Sequence, residues 1–341
     1  YFSARSGKTT TILTRSIFIP GITLLTTLLC TLPAPAQTGS GSFLEIVPDA
    51  PSAGMGGTGT ALPANAFSVF HNPAQTPLTE KQGEVGYNIA PWLRDLGTGR
   101  IQHTVGGFYR LGDKQALSAG VRLLTLPSSD LTDDYGNLLR TTHPYDLSVN
   151  VGYSRTVARN LAVGATVGYI RSSLGENLSA NGVAFDAGAY YRHAIRGSGG
   201  ESNWALGLTL DNMGTALDYG GGSAPLPWKL QLGAAATLEF SPRHRLEATA
   251  EGGYRFRPSG NRSLSGGVGA GYTFARLATV RAGYHFGDQE KGDPRYTSFG
   301  CGIHFYHFHL DAAYWLSGTD SPVRNTWMLS LRIDLGRRSR P

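Results

Sequence analysis

Residues 145–153 read YDLSVNVGY, a segment in which apolar and polar side chains alternate without a break. Its odd positions carry Tyr145, Leu147, Val149, Val151 and Tyr153, and its even positions carry polar residues or glycine. Because successive side chains of a β-strand point to opposite faces, this pattern predicts a strand with one apolar face. An aromatic residue stands at each end of that face, as in strands that face lipid and end in the headgroup layers.

The same alternation recurs at residues 161–169 (LAVGATVGY), 278–286 (ATVRAGYHF) and 327–335 (WMLSLRIDL). It predicts an all-β fold, a transmembrane antiparallel β-barrel of about 14 strands with an N-terminal plug-like segment; single-chain bacterial barrels have even strand numbers. The predicted strands lie near residues 82–91, 99–110, 115–125, 145–156, 160–171, 182–192, 203–211, 228–239, 244–256, 263–274, 277–286, 295–305, 308–316 and 326–335.

A soluble β-sandwich is the alternative fold, because its strands also alternate. The polar face of a sandwich is expected to be richer in Lys, Glu and Thr. Here that face is rich in glycine and includes Asp146, Arg281, Arg332 and Asp334, and the chain has 46 glycines with only 16% charged residues. The mean hydropathy of −0.17 excludes a bundle of membrane helices. It is compatible with a barrel, in which only alternate residues face lipid, so the barrel is favoured.

The connections between the predicted strands support the barrel. Those after odd-numbered strands are mostly long, such as Leu126–Pro144, Ser172–Asn181 and Asn212–Pro227. Those after even-numbered strands are mostly tight, such as Val157–Arg159 and Ala275–Arg276. Outer-membrane barrels have long extracellular loops and short periplasmic turns, so the long connections are predicted to lie outside the cell.

The N-terminal part of the chain does not show the strand pattern. We divide the chain into a signal peptide with upstream residues (1–36), a plug or hatch segment (37–80), the barrel (81–336) and a basic tail (337–341). The plug segment contains too many glycines and prolines for a long helix, but enough apolar residues to require burial. It is predicted to pack in or against the mouth of the barrel through Met55, Phe67, Phe70, Asn72 and Pro73.

Export is predicted from residues 15–36, where Arg15 precedes an apolar run that ends in Ala34-Pro35-Ala36. A basic flank, an apolar core and an A-x-A site indicate a secretory signal peptide cleaved after Ala36. A lipoprotein signal with Cys30 as the modified residue is the alternative. The net charge of +6 does not indicate nucleic-acid binding, since the sequence lacks a basic cluster that could follow phosphates.

Few residues of the sequence are candidates for metal binding or catalysis. His304, His307 and His309 with Asp311 form a metal-like group, but no cysteine or second carboxylate completes a ligand set. We interpret them as interfacial residues at the barrel rim and assign no metal, no cofactor and no catalytic residue. The segment DDYGN at 133–137 lacks the spacing of a calcium loop and is read as a turn.

The most distinctive sequence blocks are FLEIVPDAPSAGMGGTGTA (43–61), ANAFSVFHNPA (64–74), APWLRDLG (90–97), LTDDYGN (131–137), GYIRSSLG (168–175) and RAGYHFGDQEKG (281–292) followed by RYTSFGCG (295–302). With these blocks the chain resembles the PorV family, the outer-membrane barrels of the type IX secretion system of Bacteroidota within the wider FadL-like group. The resemblance runs from about Phe43 to Gly336. The chain departs from it by a shorter connection around Pro258–Arg262.

The resemblance implies a non-enzymatic protein of the outer membrane, in contact with its lipid. Such proteins bind the C-terminal signal domain of secreted cargo, receive it from the translocon barrel and carry it to an attachment complex with sortase-like subunits. Candidate loop contacts for cargo or partners are Asp130, Leu131, Tyr135, Leu138, Leu217, Tyr219 and Leu226.

Two other functions are alternatives to this one. A FadL-type channel for hydrophobic small molecules would need an apolar lumen, whereas the predicted inward faces are polar. A lipopolysaccharide-modifying hydrolase would need a nucleophile, a base and an oxyanion site on one wall, and the sequence offers no such set.

Overall fold

The computed structural model of the chain describes residues 41–93, 99–133, 135, 137–175, 178–195, 202–319 and 321–336. The predicted signal peptide with its cleavage site and the basic tail lie outside the described residues, and so do Asp134 and Gly136 of the DDYGN turn.

Fourteen strands form a closed antiparallel barrel, which confirms the predicted fold. The last strand pairs with the first, from Glu84 opposite Asp334 to Ile89 opposite Leu329. The barrel strands are β1 (Gly83–Pro91), β2 (Ile101–Arg110), β3 (Gln115–Thr125), β6 (Tyr145–Ala158), β7 (Leu161–Gly175), β8 (Leu178–Ile195), β9 (Ser202–Gly214), β12 (Lys229–Ser241), β13 (His244–Arg255), β14 (Ser263–Phe274), β15 (Ala278–Phe286), β16 (Tyr296–Phe305), β17 (Phe308–Leu316) and β18 (Trp327–Asp334).

The barrel strands have an apolar outer face and a polar inner face, as the alternation predicts. On β6, Val149, Val151 and Tyr153 are exposed, while Ser148 and Asn150 between them are buried. A sheet that leaves its large apolar side chains exposed and buries its serines and asparagines is stable where the outside is lipid rather than water.

The two ends of the barrel differ in their connections. Among the connections that the structure describes completely, those after even-numbered barrel strands have at most four residues. At the other end, Leu126–Pro144 contains a hairpin of β4 (Ser129–Thr132) and β5 (Leu138–Thr142). The connection after β9 contains a shorter hairpin of β10 (Leu217–Asp218) and β11 (Ser223–Ala224). We refer to the end with these hairpins as the extracellular end and to the other as the periplasmic end.

One predicted long loop is wrong. Residues 172–181 continue the barrel hairpin, because β7 runs to Gly175 and β8 begins at Leu178. Ser173 pairs with Ser179, and the hydroxyl of Tyr169 donates a hydrogen bond of 2.6 Å to Asn181. Between residues 172 and 181 the large apolar residues are Leu174 and Leu178, and most other positions are serine, asparagine or glutamate, so the regular alternation of the other strands is absent.

Ahead of the barrel, residues 42–78 form a chain of short turns that we call the N-terminal segment. It contains a 3-10 turn (Ser42–Glu45), helix α1 (Ala50–Ala53), helix α2 (Ser68–His71) and a 3-10 helix (Pro73–Leu78). Two further 3-10 turns, Ser259–Asn261 and Gln289–Lys291, lie in extracellular loops. Across the described ranges, every helix is too short or too polar to cross a membrane.

Candidate functional site

Wall glycines allow the N-terminal segment to pack directly against the inner face of the barrel. A Cβ atom at Gly207 of β9 would lie 2.0 Å from the carbonyl oxygen of Thr60, and one at Gly283 of β15 would lie 2.2 Å from the nitrogen of Gly56. Such distances leave no room for a side chain. The wall glycines whose Cβ would meet the segment within 3.3 Å are Gly86, Gly106, Gly120, Gly164, Gly188, Gly207, Gly233, Gly267, Gly269, Gly283 and Gly300. These inward-facing glycines form the surface on which the segment packs, which we call the glycine bed; Gly164 and Gly283 are the two that the alternation placed on the inner face.

The five residues predicted for the plug segment all lie at this wall. Met55 and Phe67 are fully buried, Met55 over Gly269 and Phe67 beside Gly86. Phe70 is partly buried and lies beneath the guanidinium of Arg122, whose carbon is 4.3 Å from the ring centre. 

Asn72 and Pro73 begin the last 3-10 helix of the segment. The amide nitrogen of Asn72 donates to the carbonyl oxygens of Thr60, at 3.0 Å, and of Ala189 on β8, at 3.1 Å. Its Oδ1 accepts from the backbone nitrogen of Ala74 at 3.0 Å. One buried amide side chain thus joins two turns of the segment to the barrel wall.

Polar side chains on several barrel strands accept hydrogen bonds from the backbone of the segment. Glu251 of β13 accepts hydrogen bonds from the amides of Gly59 and Thr60, at 2.9 and 2.8 Å. Ser298 of β16 accepts from the amide of Gly56 at 2.9 Å, and Ser330 of β18 accepts from that of Ala50 at 2.8 Å. Backbone donors without a helical partner are thereby satisfied inside the barrel, as buried amides require.

Asp49 organises the inside of the segment. Its Oδ1 accepts from the amide of Ser52 at 3.1 Å, which caps α1, and lies 3.3 Å from Nε2 of His71. Its Oδ2 accepts from the side-chain Nδ2 of Asn65 at 2.6 Å. Burial would raise the pKa of Asp49, but the charge and hydrogen bond of His71 and the hydrogen bond from Ser52 outweigh burial and lower the pKa to about 2.

Ser52, His71 and Asp49 have the residue types of a hydrolytic triad, but not its geometry. A triad needs the carboxylate on one ring nitrogen and the hydroxyl on the other. Here both contacts are made by Nε2 of His71, at 3.0 Å to the Ser52 hydroxyl and 3.3 Å to Asp49. The group therefore joins two turns of the segment, and it has no arrangement for transferring a proton from the serine.

A buried charge network lies on the inner wall near α1. Arg332 donates to Glu84 at 3.0 Å and to Asp311 at 2.8 Å, and Asp311 also accepts from Arg281 at 2.8 Å. Lys81 forms a further ion pair with Glu84 at 2.5 Å. The alternation placed Arg281 and Arg332 on the inner face, but the register across four strands was needed to identify their partners.

The metal-like group differs from its predicted composition. His304 and His309 are directly opposite on β16 and β17, and the third group within reach is Asp334 of β18. Asp311 forms ion pairs with Arg281 and Arg332 instead. His307 lies in the turn between the strands. The sequence analysis missed Asp334 because it comes from a third strand.

The predicted contacts in the first extracellular loop lie in and around the β4–β5 hairpin. Tyr135 is 91% exposed and Leu138 is 61% exposed. Asp130 accepts a hydrogen bond of 2.7 Å from Thr141 across the hairpin. Leu131 lies in β4, and its side chain is outside the described part of the chain. 

Asp133 stabilises the tip of this hairpin as a turn, as expected from DDYGN. Its Oδ1 accepts from the amides of Tyr135 and Asn137, at 2.9 and 2.8 Å. This carboxylate therefore has a structural role that holds Tyr135 outward at the hairpin tip.

The predicted contacts in the second loop are placed differently. Leu217 and Leu226 are fully buried, and Tyr219 packs partly buried against them. Their cluster includes Phe43 and Leu44 of the N-terminal segment. In this arrangement the two leucines cover the start of the segment, and their role as partner contacts stays a prediction.

The closed antiparallel barrel with its apolar outer face defines the class, a transmembrane β-barrel, and its fold is similar to that of three solved outer-membrane barrels. The Ralstonia pickettii toluene transporter TbuX has a TM-score of 0.53 at 14% identity, over 84% of this chain and 98% of that one. The Pseudomonas putida toluene transporter TodX has a TM-score of 0.52 at 13% identity, over 82% and 95%. A Pseudomonas aeruginosa FadL homologue has a TM-score of 0.52 at 14% identity, over 84% and 98%. At these identities the likeness concerns the fold alone.

The family is given by the sequence. The family model described as type IX secretion system protein PorV matches residues 34–259. The chain belongs to the PorV family, and it is a non-enzymatic outer-membrane component of the type IX secretion system. Comparison with curated protein sequences gives no match.

Proposed function

We propose that this protein binds the C-terminal signal domain of secreted cargo at its extracellular end. It receives this domain from the translocon barrel and carries it to a surface attachment complex with sortase-like subunits. The family match supports a role in type IX secretion, and the exposed β4–β5 hairpin supports the site.

The observation that carries the proposal is the exposure of large apolar side chains on this hairpin. Tyr135, Leu138 and Leu139 are 91%, 61% and 68% exposed. The hairpin belongs to an extracellular loop rather than to a lipid-facing strand. Exposed aromatic and apolar side chains outside the membrane are typical of protein-binding surfaces.

The inner wall gives less support to a channel for hydrophobic molecules. The N-terminal segment contacts glycines on strands from β1 to β16, and its backbone is hydrogen-bonded to Glu251, Ser298 and Ser330. A hydrophobic ligand would have to replace these polar contacts. An apolar cavity with a few polar groups would be a better lining for such a ligand.

The experiment is a binding measurement between the purified barrel and a purified C-terminal signal domain. The double variant Tyr135→Ser with Leu138→Ser is expected to weaken binding by at least about tenfold, since each residue that dominates an interface costs more than about 1 kcal/mol when truncated. The matched control, Gln289→Ser with Glu290→Ser, alters two exposed polar residues at the same end and is expected to bind as the wild type does. Equal affinity of all three proteins would place the site elsewhere, and no binding by the wild type would overturn the proposed function.

A further inference from the structure

We propose that His304, His309 and Asp334 form a binding site for a zinc-type divalent transition-metal ion at the periplasmic rim of the barrel. Their ligand atoms all lie within 4.8 Å of one another. Two imidazoles and one carboxylate are a ligand set that zinc uses with water or another group in the fourth position.

The barrel backbone holds these three residues together. His304 is paired with His309 across β16 and β17, next to the two-residue turn of Tyr306 and His307. The amide of Asp334 donates a hydrogen bond of 2.8 Å to the carbonyl oxygen of His307, which fixes the end of β18 beside that turn. Ligands placed by three paired strands lose little conformational freedom on binding a metal.

The side chains are already close to a binding arrangement. The two imidazole rings are stacked with their centres 3.8 Å apart, and Nε2 of His309 lies 3.0 Å from Oδ2 of Asp334. Ligand atoms in a tetrahedral zinc site are about 3.3 Å apart, given bonds of about 2.0 Å. Rotation of the His304 ring, which now contacts the carbonyl oxygen of Tyr306 at 2.9 Å, would complete the approach.

A metal ion can reach the site from outside, and the charges around the site influence its affinity for the ion. The side chains of His309 and Asp334 are 15% and 14% exposed, so an ion can enter from the barrel end. Lys81 lies 2.7 Å from Oδ1 of Asp334 and opposes a second cation. It also pairs with Glu84 at 2.5 Å, and can remain with that carboxylate when Asp334 binds a metal.

The preferred ion follows from the donor atoms. Imidazole and carboxylate suit zinc, nickel and copper, whereas magnesium and calcium prefer oxygen ligands alone. The ion would link β16, β17 and β18 at the edge where the barrel meets the periplasm. This proposal rests on the rim geometry and is independent of cargo binding.

The test is a titration of the tag-free barrel in detergent with Zn²⁺, followed by calorimetry, and with Co²⁺, followed by its visible absorption. The wild type is expected to bind one ion. His304→Ala and His309→Ala are each expected to weaken binding by more than about 100-fold, since even outer-sphere partners of metal ligands contribute 10–100-fold. The matched control is His307→Ala, which removes a neighbouring imidazole in the turn and is expected to bind as the wild type does.

Two further results keep the test decisive. Lys81→Gln is expected to raise the affinity, because it removes the cation beside Asp334. Folding of every variant is checked by the shift in gel mobility that folded barrels show without heating. Absence of saturable binding by the wild type, or equal binding by the wild type and the His304→Ala and His309→Ala variants, would overturn the proposal.

Discussion

The carboxylate of Glu251, on β13, accepts a hydrogen bond of 2.8 Å from the backbone amide of Thr60 in the N-terminal segment. The same oxygen accepts a second bond, of 2.9 Å, from the amide of Gly59. Two adjacent amides therefore share one carboxylate oxygen on the barrel wall. Hydrogen bonds to charged groups contribute about 1.5–3 kcal/mol each, so this contact is a principal anchor of the segment.

Replacing this carboxylate should loosen the segment without opening the barrel. We expect Glu251→Ala to remove the exchange protection of the Gly59 and Thr60 amides and to lower the free energy of unfolding by about 2 kcal/mol. Hydrogen-exchange mass spectrometry and urea unfolding in detergent measure the two effects. Glu290→Ala, at an exposed loop position, is the control and should change neither. Unaltered protection at Gly59 and Thr60 in Glu251→Ala would show that other contacts hold this turn.

The glycine bed gives a second prediction, with a matched pair of positions. At Gly207 a Cβ would lie 2.0 Å from the carbonyl oxygen of Thr60, whereas at Gly252 nothing lies within 4 Å. We expect Gly207→Val to displace the segment, to expose residues 54–62 to proteolysis, and to cost at least about 1–3 kcal/mol from overpacking. Gly252→Val should leave cleavage and stability near those of the wild type. Equal cleavage of the two variants would contradict the packing of Thr60 on β9.

The barrel could be predicted from the sequence because strand residues face the lipid and the lumen in turn. The lipid requires apolar side chains, and the lumen accepts polar ones and glycine. Strand β3 was predicted at 115–125 and observed as Gln115–Thr125, and β14 was likewise predicted at its observed bounds. The prediction was wrong at residues 172–181, where the hairpin extends through a mostly polar stretch that does not alternate regularly. Outside the membrane, alternation is not required, so the ends of such strands cannot be located from hydrophobicity.

The site was less predictable than the fold, since it depends on contacts between distant parts of the chain. Leu217 and Leu226 are apolar loop residues, and the sequence does not say whether such residues cover the chain itself or bind a partner. Their burial depends on Phe43, at the start of the N-terminal segment. Asp334 was similarly missed beside His304 and His309, because the register of three strands brings them together.

Ionised Asp49 should make the protein more stable at neutral pH than at low pH. Its pKa in the folded protein is about 2, below the ordinary value of 3.8. A lowered pKa means that the ionised form stabilises the fold, by about 2 kcal/mol for a shift of this size. This contribution is complete above about pH 4 and is lost as the pH falls towards 2.

The corresponding measurement compares Asp49→Asn with the wild type in urea unfolding between about pH 5 and pH 2.5. The difference in unfolding free energy between the two proteins should shrink as the pH falls through this range. Glu290→Gln changes an exposed carboxylate and should keep the pH profile of the wild type. A difference between Asp49→Asn and the wild type that stays constant with pH would indicate that only the shape of Asp49 matters.

Arg332 should be the most costly charged residue of the inner wall to remove. It donates to Glu84 at 3.0 Å and to Asp311 at 2.8 Å, and both carboxylates are buried. Removing one partner of a buried ion pair leaves an uncompensated charge and costs about 3–5 kcal/mol.

We therefore expect Arg332→Met to lower the unfolding free energy by about that amount. Arg332→Met combined with Glu84→Gln should recover part of the loss, because Glu84 and Asp311 keep Lys81 and Arg281 as partners and the double variant also removes the excess negative charge that the loss of Arg332 leaves in the network. The control is Arg276→Met, since the side chain of Arg276 is 59% exposed and lies 3.8 Å from Glu239. An exposed pair of this kind contributes less than about 1 kcal/mol. A loss for Arg332→Met as small as that of Arg276→Met would mean that water reaches the carboxylates inside the barrel and that the network is not sealed by the N-terminal segment.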